Sequence, residues 1–274
     1  MTKFFTFLKK VPILIAVLAV GLGVVTIRLP WNTYWDRSVL RILLCGCMLF
    51  FLYLISGEKT LSKGSQQTGY VIKSLLGFWI IATITGAFNL WTTLASGEIA
   101  DGFLLRLVSV LLMFLFGCLF EELCFRAVLN DAIVYQFRNT KGVFAISAVV
   151  TSLVFGMVHV VGSPINGALE WAQAGMKTLS CAVMGFALLI LYWKTRNIWA
   201  CGLVHAVYDI LTEYTLAFDT STNVGAGNYV AAGSMGWVVL AVLGVNTLVC
   251  GLVTLFVWKK VGKTIDFAEL RRTW

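Results

Sequence analysis

Apolar positions along the chain fall in long unbroken blocks separated by short polar interruptions, a pattern unlike the one-sided spacing of elements that face water. Eight blocks approach the roughly 20 apolar residues that cross a bilayer as helix. They run Val11–Ile27, Val39–Ser56, Ile72–Ala95, Phe103–Glu122, Val143–Val161, Met176–Trp193, Ile198–Phe218 and Met235–Trp258. Each is about twice the length of a membrane β-strand and lacks period-two alternation, which sets strands aside. The pattern predicts an all-α, polytopic membrane protein with about eight transmembrane helices. No internal repeat or two-half symmetry of the transporter kind is visible, and the loops are short, so chemistry is expected within the bilayer or at its edge.

Composition sharpens this reading. The 274 residues are 59% hydrophobic and only 12% charged, against about 25% charged in ordinary soluble domains. The net charge of +8 could suggest nucleic acid, but the basic residues are scattered between apolar runs, so no nucleic-acid partner is expected. Topology accounts for them better. With both termini cytoplasmic, the inner segments hold fifteen Lys and Arg and the outer segments five: Arg28, Arg37, Arg41, Arg106 and Lys177. Trp31, Tyr34 and Trp35 would sit at the outer interface, Tyr192, Trp193 and Trp258 at the inner one. Lys3, Lys9 and Lys10 before an apolar run imitate a signal peptide, but no small-residue cleavage site follows Gly23, and a retained first helix is expected. The external loop Asp219–Ser234 carries no Lys or Arg, and the basic tail through Arg271 and Arg272 suits anionic lipid headgroups. The seven cysteines lie in or beside apolar blocks, where a thiol behaves as a small hydrophobe.

Against this background the ionisable groups inside helices stand out, since each costs at least about 2.5 kcal/mol to insert. They cluster in three blocks: Glu121, Glu122 and Arg126 at the end of the fourth, Phe155 and His159 at the end of the fifth, and His205 with Asp209 in the seventh. His159 and His205 are the only histidines. Glu122 and Arg126 are i,i+4 and can pair along one face, leaving Glu121 about 100° around the helix to point elsewhere. His205 and Asp209 share a face in the same way. Counted from the turn near Asn139, Glu121 and His159 are level. His205 lies only about 14 Å from its own turn at Arg196, against about 28 Å for the other two. The three meet only if Leu123–Asn139 projects beyond the bilayer or bends along its inner surface, which places the site toward the cytoplasmic side. Ser152, one turn before Phe155, is a candidate to orient the His159 ring, and Glu213 is expected to be solvated.

Carboxylates and imidazoles in a protected site can activate water for hydrolysis, by general base action or on a metal. There is no HExxH pair, no GxSG and no GxGD. The three motifs instead resemble those of the CPBP family, the type II CAAX endopeptidase, bacteriocin-processing or Abi group: EExxxR, FxxxH and HxxxN or HxxxD. They read here Glu121-Glu122 with Arg126, Phe155 with His159, and His205 with Asp209, in the family's order. Ala127 stands where many members have glycine. The resemblance covers about Phe103–Phe218 and implies a division into N-terminal helices (1–102), a catalytic core (103–218), and a last loop, helix and basic tail (219–274). It further implies an intramembrane endopeptidase in which Glu121 and His159 hold and deprotonate the attacking water. His205 and Asp209 would complete the water or metal site, with Glu122, Arg126 and Phe155 in support. Family members are commonly named metalloproteases, although a metal-free glutamate mechanism has also been proposed. Glu121, His159 and His205 are a donor set for Zn²⁺ with water in the fourth position. The expected partners are the lipid bilayer and a peptide or membrane-protein substrate, in peptide or bacteriocin maturation, immunity or processing of a regulator, in a bacterial cell membrane. Two alternatives remain open: a non-catalytic scaffold that modulates a membrane signalling partner such as a sensor kinase, and an ion- or proton-coupled transporter.

Overall fold

A computed structural model of the chain describes residues 7, 10–27, 29, 33–56, 67–97, 99–218 and 230–272. The class is all-α: among the described residues every regular element is helical. In chain order the elements are α1 (Pro12–Ile27), α2 (Tyr34–Ser56), α3 (Thr68–Ser74), α4 (Leu76–Ser96), α5 (Phe103–Glu122), a π-helical turn (Leu123–Leu129), α6 (Asn130–Gln136), α7 (Val143–Val158), α8 (Ala168–Thr195), α9 (Ile198–Glu213), α10 (Gly233–Lys260) and the short α11 (Phe267–Arg272). Lys3, Lys9, Arg28, Trp31, Lys59, Lys63 and residues 219–229, on which part of the orientation argument stands, lie outside the described residues.

Among the described residues, five stretches are long and apolar enough to cross a membrane: Tyr34–Ile55, Leu76–Ala95, Phe103–Gln136, Ala168–Thr195 and Gly233–Thr264. Pro12–Thr26 and Val143–Val158 are shorter apolar helices. The outward face of α10 suits lipid, since Trp237, Val242, Leu248 and Leu252 each expose more than half of their surface. The protein is an integral membrane protein.

The blocks differ from the helices in instructive places. The third block breaks at Leu75, and the indole N–H of Trp79 donates to the Ile72 carbonyl at 2.9 Å, beside the Leu75 backbone N–H at 3.3 Å. The sixth starts earlier than its apolar run, at Ala168. There the polar Gln173 is drawn inside, donating to the carbonyls of Ala231 and Gly236 and accepting from the Ala231 N–H. The fourth does not end at Glu122. It continues as one 34-residue helical stretch to Gln136, passing through the π turn.

That continuation supplies the depth match, and it does so without a bend along a surface. All seven residues of the π turn are buried, packed against α1 and α2. Asn130 and Asp131 then anchor α6 to its neighbours. Ser147 Oγ and Trp193 Nε1 both donate to Asn130 Oδ1, at 2.8 and 3.0 Å. Asp131 accepts from the Asn130 amide at 2.9 Å, from the Tyr192 hydroxyl at 3.1 Å, and from both terminal nitrogens of Arg196 at 3.0 and 2.7 Å. The α8–α9 turn is thus pinned level with Asp131. Glu121 stands ten residues before Asp131 and His205 nine after Arg196, so two antiparallel helices carry them to the same height. Arg196 itself caps α8 in the left-handed region at φ 54°, a cost of about 1–2 kcal/mol for a residue with a Cβ, which the two-pronged contact to Asp131 offsets.

Around this pin, α5 packs along α2 and α9, while α8 packs along α7 and α10. Glycines set the closest approaches. A Cβ on Gly156 would collide with the Thr178 carbonyl, and one on Gly202 would meet Leu119 Cδ1 at 2.9 Å, so α7 lies on α8 and α9 on α5 nearly backbone to backbone. Asn197 caps α9, its side-chain oxygen accepting from the Ala200 N–H at 2.9 Å.

Candidate active site

The site lies where α5, α7 and α9 converge, with α8 behind them. Glu121 and Glu122, adjacent in sequence, point in different directions, as helical geometry requires. Glu122 is fully buried. Its Oε1 lies 3.2 Å from Arg126 Nη1 and accepts from His205 Nδ1 at 2.9 Å. Arg126 is held over Phe155, its guanidinium carbon 3.9 Å from the ring centroid, and the Phe155 ring in turn meets His159 at 4.7 Å and His205 at 5.9 Å. Phe155 is therefore the packing centre of the motif set, which explains an aromatic four residues before a histidine. Gly185 on α8 makes room for the stack: a Cβ there would lie 2.7 Å from Arg126 Nη2 and 2.9 Å from Phe155 Cδ1.

Glu121 faces the two imidazoles. Its Oε2 is 4.0 Å from His159 Nε2 and 4.0 Å from His205 Nε2. Asp209 Oδ2 lies 3.8 Å from His205 Nε2 on the open side, with 30% of its side chain exposed. The four side chains expected to carry chemistry are thus brought together.

The protonation pattern follows from their partners. A carbonyl oxygen only accepts, so the 2.7 Å contact between His159 Nδ1 and the Phe155 carbonyl requires the proton on Nδ1. In the neutral ring, Nε2 then presents a lone pair to a carboxylate, which also only accepts. His205 repeats the arrangement, with Nδ1 donating to Glu122 and the neutral ring turning its Nε2 lone pair inward. Electron pairs 4.0 Å apart are too far for a direct hydrogen bond and repel unless something donates between them. A water hydrogen or a cation satisfies that geometry.

Two expectations change. Ser152 does not orient His159: its Oγ is buried with no hydrogen-bond partner among the described residues, and the Phe155 carbonyl does the orienting. Cys118 is not merely a small hydrophobe, because its thiol donates to Asp209 Oδ2 at 3.2 Å. It sits three residues before Glu121 and so on the same side of α5, a spacing visible in the sequence but masked by the apolar surroundings. Cys118, His205 and Asp209 each offer one ligand atom, all within 4.8 Å of one another, a grouping able to hold a metal ion. Arg41 on α2 also reaches this region, its guanidinium 5.4 Å over the Phe120 ring. Glu213 lies on the protein surface.

A family model described as Rce1-like, type II CAAX prenyl endopeptidase, matches residues 102–211. The match spans all three motifs and bears out the resemblance they carry. That family is one of proteases, which supports an enzyme acting on a peptide or protein in a lipid setting. No curated protein and no solved structure matches the chain.

Proposed function

We propose that this protein is an intramembrane endopeptidase whose attacking water is held between Glu121 and the two histidines. The observation that carries the reading is the facing of lone pairs: Glu121 Oε2 is 4.0 Å from each Nε2, and both Nδ1 atoms are already committed to other acceptors. A water bridging Glu121 and His159 donates to both and turns its own lone pair outward. Glu121 takes one water proton as the oxygen attacks the scissile carbonyl, and returns it to the departing amide nitrogen. His205 takes a second proton at Nε2 from solvent past the partly exposed Asp209, which turns that lone pair into an N–H for the oxyanion, with Asp209 and Glu122 balancing the charge. Glu122, Arg126 and Phe155 hold the His205 and His159 rings in place.

Glu121, His159 and His205 also suit zinc as a donor set: one carboxylate and two imidazole lone pairs converge, and the Glu122 carboxylate behind His205 is the partner that metal-bound histidines usually have. A zinc ion held there would lower the pKa of a bound water and make it a nucleophile at neutral pH. The catalytic segment is 103–218, within an eight-span chain whose termini and site lie toward the cytoplasm of a bacterial membrane. Maturation of a bacteriocin or leader peptide, or processing of a membrane regulator, is the biological setting that this chemistry fits.

Cleavage of candidate leader peptides by purified protein tests the reading. Glu121→Gln, His159→Ala and His205→Ala should each lower the rate by about 10²–10⁴-fold. Wild-type rates in all three would overturn it, and an intact cellular role in all three would favour the scaffold. Cleavage by metal-depleted protein in excess chelator would exclude an obligatory zinc.

A further inference from the structure

We propose that Cys118, His205 and Asp209 form a binding site for a thiol-seeking divalent cation, of which Cd²⁺ and Zn²⁺ are the natural probes, and that its occupation switches the hydrolytic site off. The site shares His205 with the donor set assigned to catalysis and Asp209 with the charge balance at the oxyanion; Cys118 belongs to it alone.

The chemistry of the three groups points to such an ion. Thiolate, imidazole and carboxylate are together the ligands of zinc-type metals, and the thiolate biases the set toward softer ions. Their atoms are already close. Cys118 Sγ is 3.2 Å and His205 Nε2 3.8 Å from Asp209 Oδ2, and all three ligand atoms lie within 4.8 Å of one another. Bonds of about 2.0–2.3 Å at tetrahedral angles put neighbouring ligands about 3.3–3.6 Å apart, so small side-chain movements close the shell.

An independent feature of the histidine strengthens the assignment. His205 is 3% exposed, and its Nε2 takes no hydrogen bond among the described residues, while Nδ1 is fixed by Glu122 at 2.9 Å. A buried imidazole with one nitrogen locked by a carboxylate and the other aimed at a thiol and a second carboxylate has the orientation of a metal ligand. The ion takes the place now held by the thiol proton between Cys118 Sγ and Asp209 Oδ2. Two bonds form to the cation from sulfur and oxygen, the S–H bond breaks, and the proton leaves to solvent past the partly exposed Asp209.

The consequence for hydrolysis rests on the proposed peptidase reading; the binding itself does not. Once the cation holds His205 Nε2, that nitrogen is lost to the water and the oxyanion, while Glu121 and His159 are left with an incomplete site. Cys118 takes no part in the proposed hydrolysis, so its replacement separates the two activities.

The experiment titrates purified, metal-depleted full-length protein with Cd²⁺ and follows thiolate-to-metal charge-transfer absorbance, with peptide cleavage measured in parallel. One ion per chain should bind with that signature. Cys118→Ser keeps a hydrogen bond to Asp209, so it should fold and cleave as wild type does, but lose the absorbance and bind Cd²⁺ about 100-fold more weakly. Asp209→Asn should keep the thiolate band and weaken binding. Cd²⁺ should inhibit wild type and spare Cys118→Ser. A charge-transfer band that persists in Cys118→Ser, or no band in wild type, overturns the site. Binding with full cleavage retained overturns the switch alone, and a protein that binds Cd²⁺ but never cleaves any peptide overturns the peptidase reading while leaving the site standing.

Discussion

Two clusters of buried polar groups lie one after the other along α5–α6, and they are built on opposite rules. Around Asn130 and Asp131 every acceptor is used, at 2.7–3.1 Å, by donors from α6, α7, α8 and the α8–α9 turn. Around Glu121 the contacts to His159 and His205 stop at 4.0 Å and that of His205 Nε2 to Asp209 at 3.8 Å, and Glu122 Oε2 with both terminal nitrogens of Arg126 have no hydrogen-bond partner among the described residues. A saturated cluster fixes positions and reacts with nothing, because no lone pair is left over. An open one holds its groups at the distance of a missing participant and depends on the saturated neighbour for its alignment.

Substitutions in the two clusters should have opposite effects on activity and stability. Glu121→Gln is expected to lower cleavage by at least about 100-fold with little change in thermal unfolding in detergent. Asp131→Ala should do the reverse in stability, destabilising by about 3–5 kcal/mol because Arg196 is left charged and largely buried without this carboxylate. Should Glu121→Gln unfold the protein as readily as Asp131→Ala, the distinction between the clusters fails. Gly185→Ala tests the link between packing and chemistry: its methyl displaces Phe155 and Arg126, costing about 1–3 kcal/mol and reducing cleavage, measured by unfolding and kinetics together. Trp193→Phe removes one of two side-chain donors to Asn130 Oδ1 and should cost about 1 kcal/mol, since Ser147 still supplies the other. Smallest is Ser152→Ala, which removes a buried hydroxyl with no hydrogen-bond partner among the described residues. It should leave cleavage unchanged and raise stability by up to about 1 kcal/mol; a fall in rate would restore Ser152 to the site.

Much of the site is written locally. Pairs such as Glu122–Arg126 and Phe155–His159 are one helical turn apart, so once the blocks are known to be helices their shared faces follow. The scarcity of charge in so apolar a chain marks these residues further. Contacts between helices are legible only by analogy or not at all. His205 donates its hydrogen bond to Glu122 and not to Asp209, and the Cys118 thiol joins Asp209, although nothing in either segment states the pairing. Asn130, Asp131, Tyr192 and Trp193 read as boundary residues because polar and aromatic side chains are common at helix ends; only their partners reveal a clamp.

The chain by itself determined its solvent, its all-helical class, the positions of most helices and the three polar signatures, because each depends on composition or on spacings of one to four residues. Tertiary structure decided the rest. Leu123–Leu129 is a run of ordinary α-helix formers with a widened π turn, buried on every residue by packing against α1 and α2. The height at which His205 meets Glu121 is set by Arg196 reaching Asp131 across 65 positions of sequence. A spacing code fixes which residues share a face of one helix, but the relative height of two helices is a free translation until side chains far apart in sequence lock it.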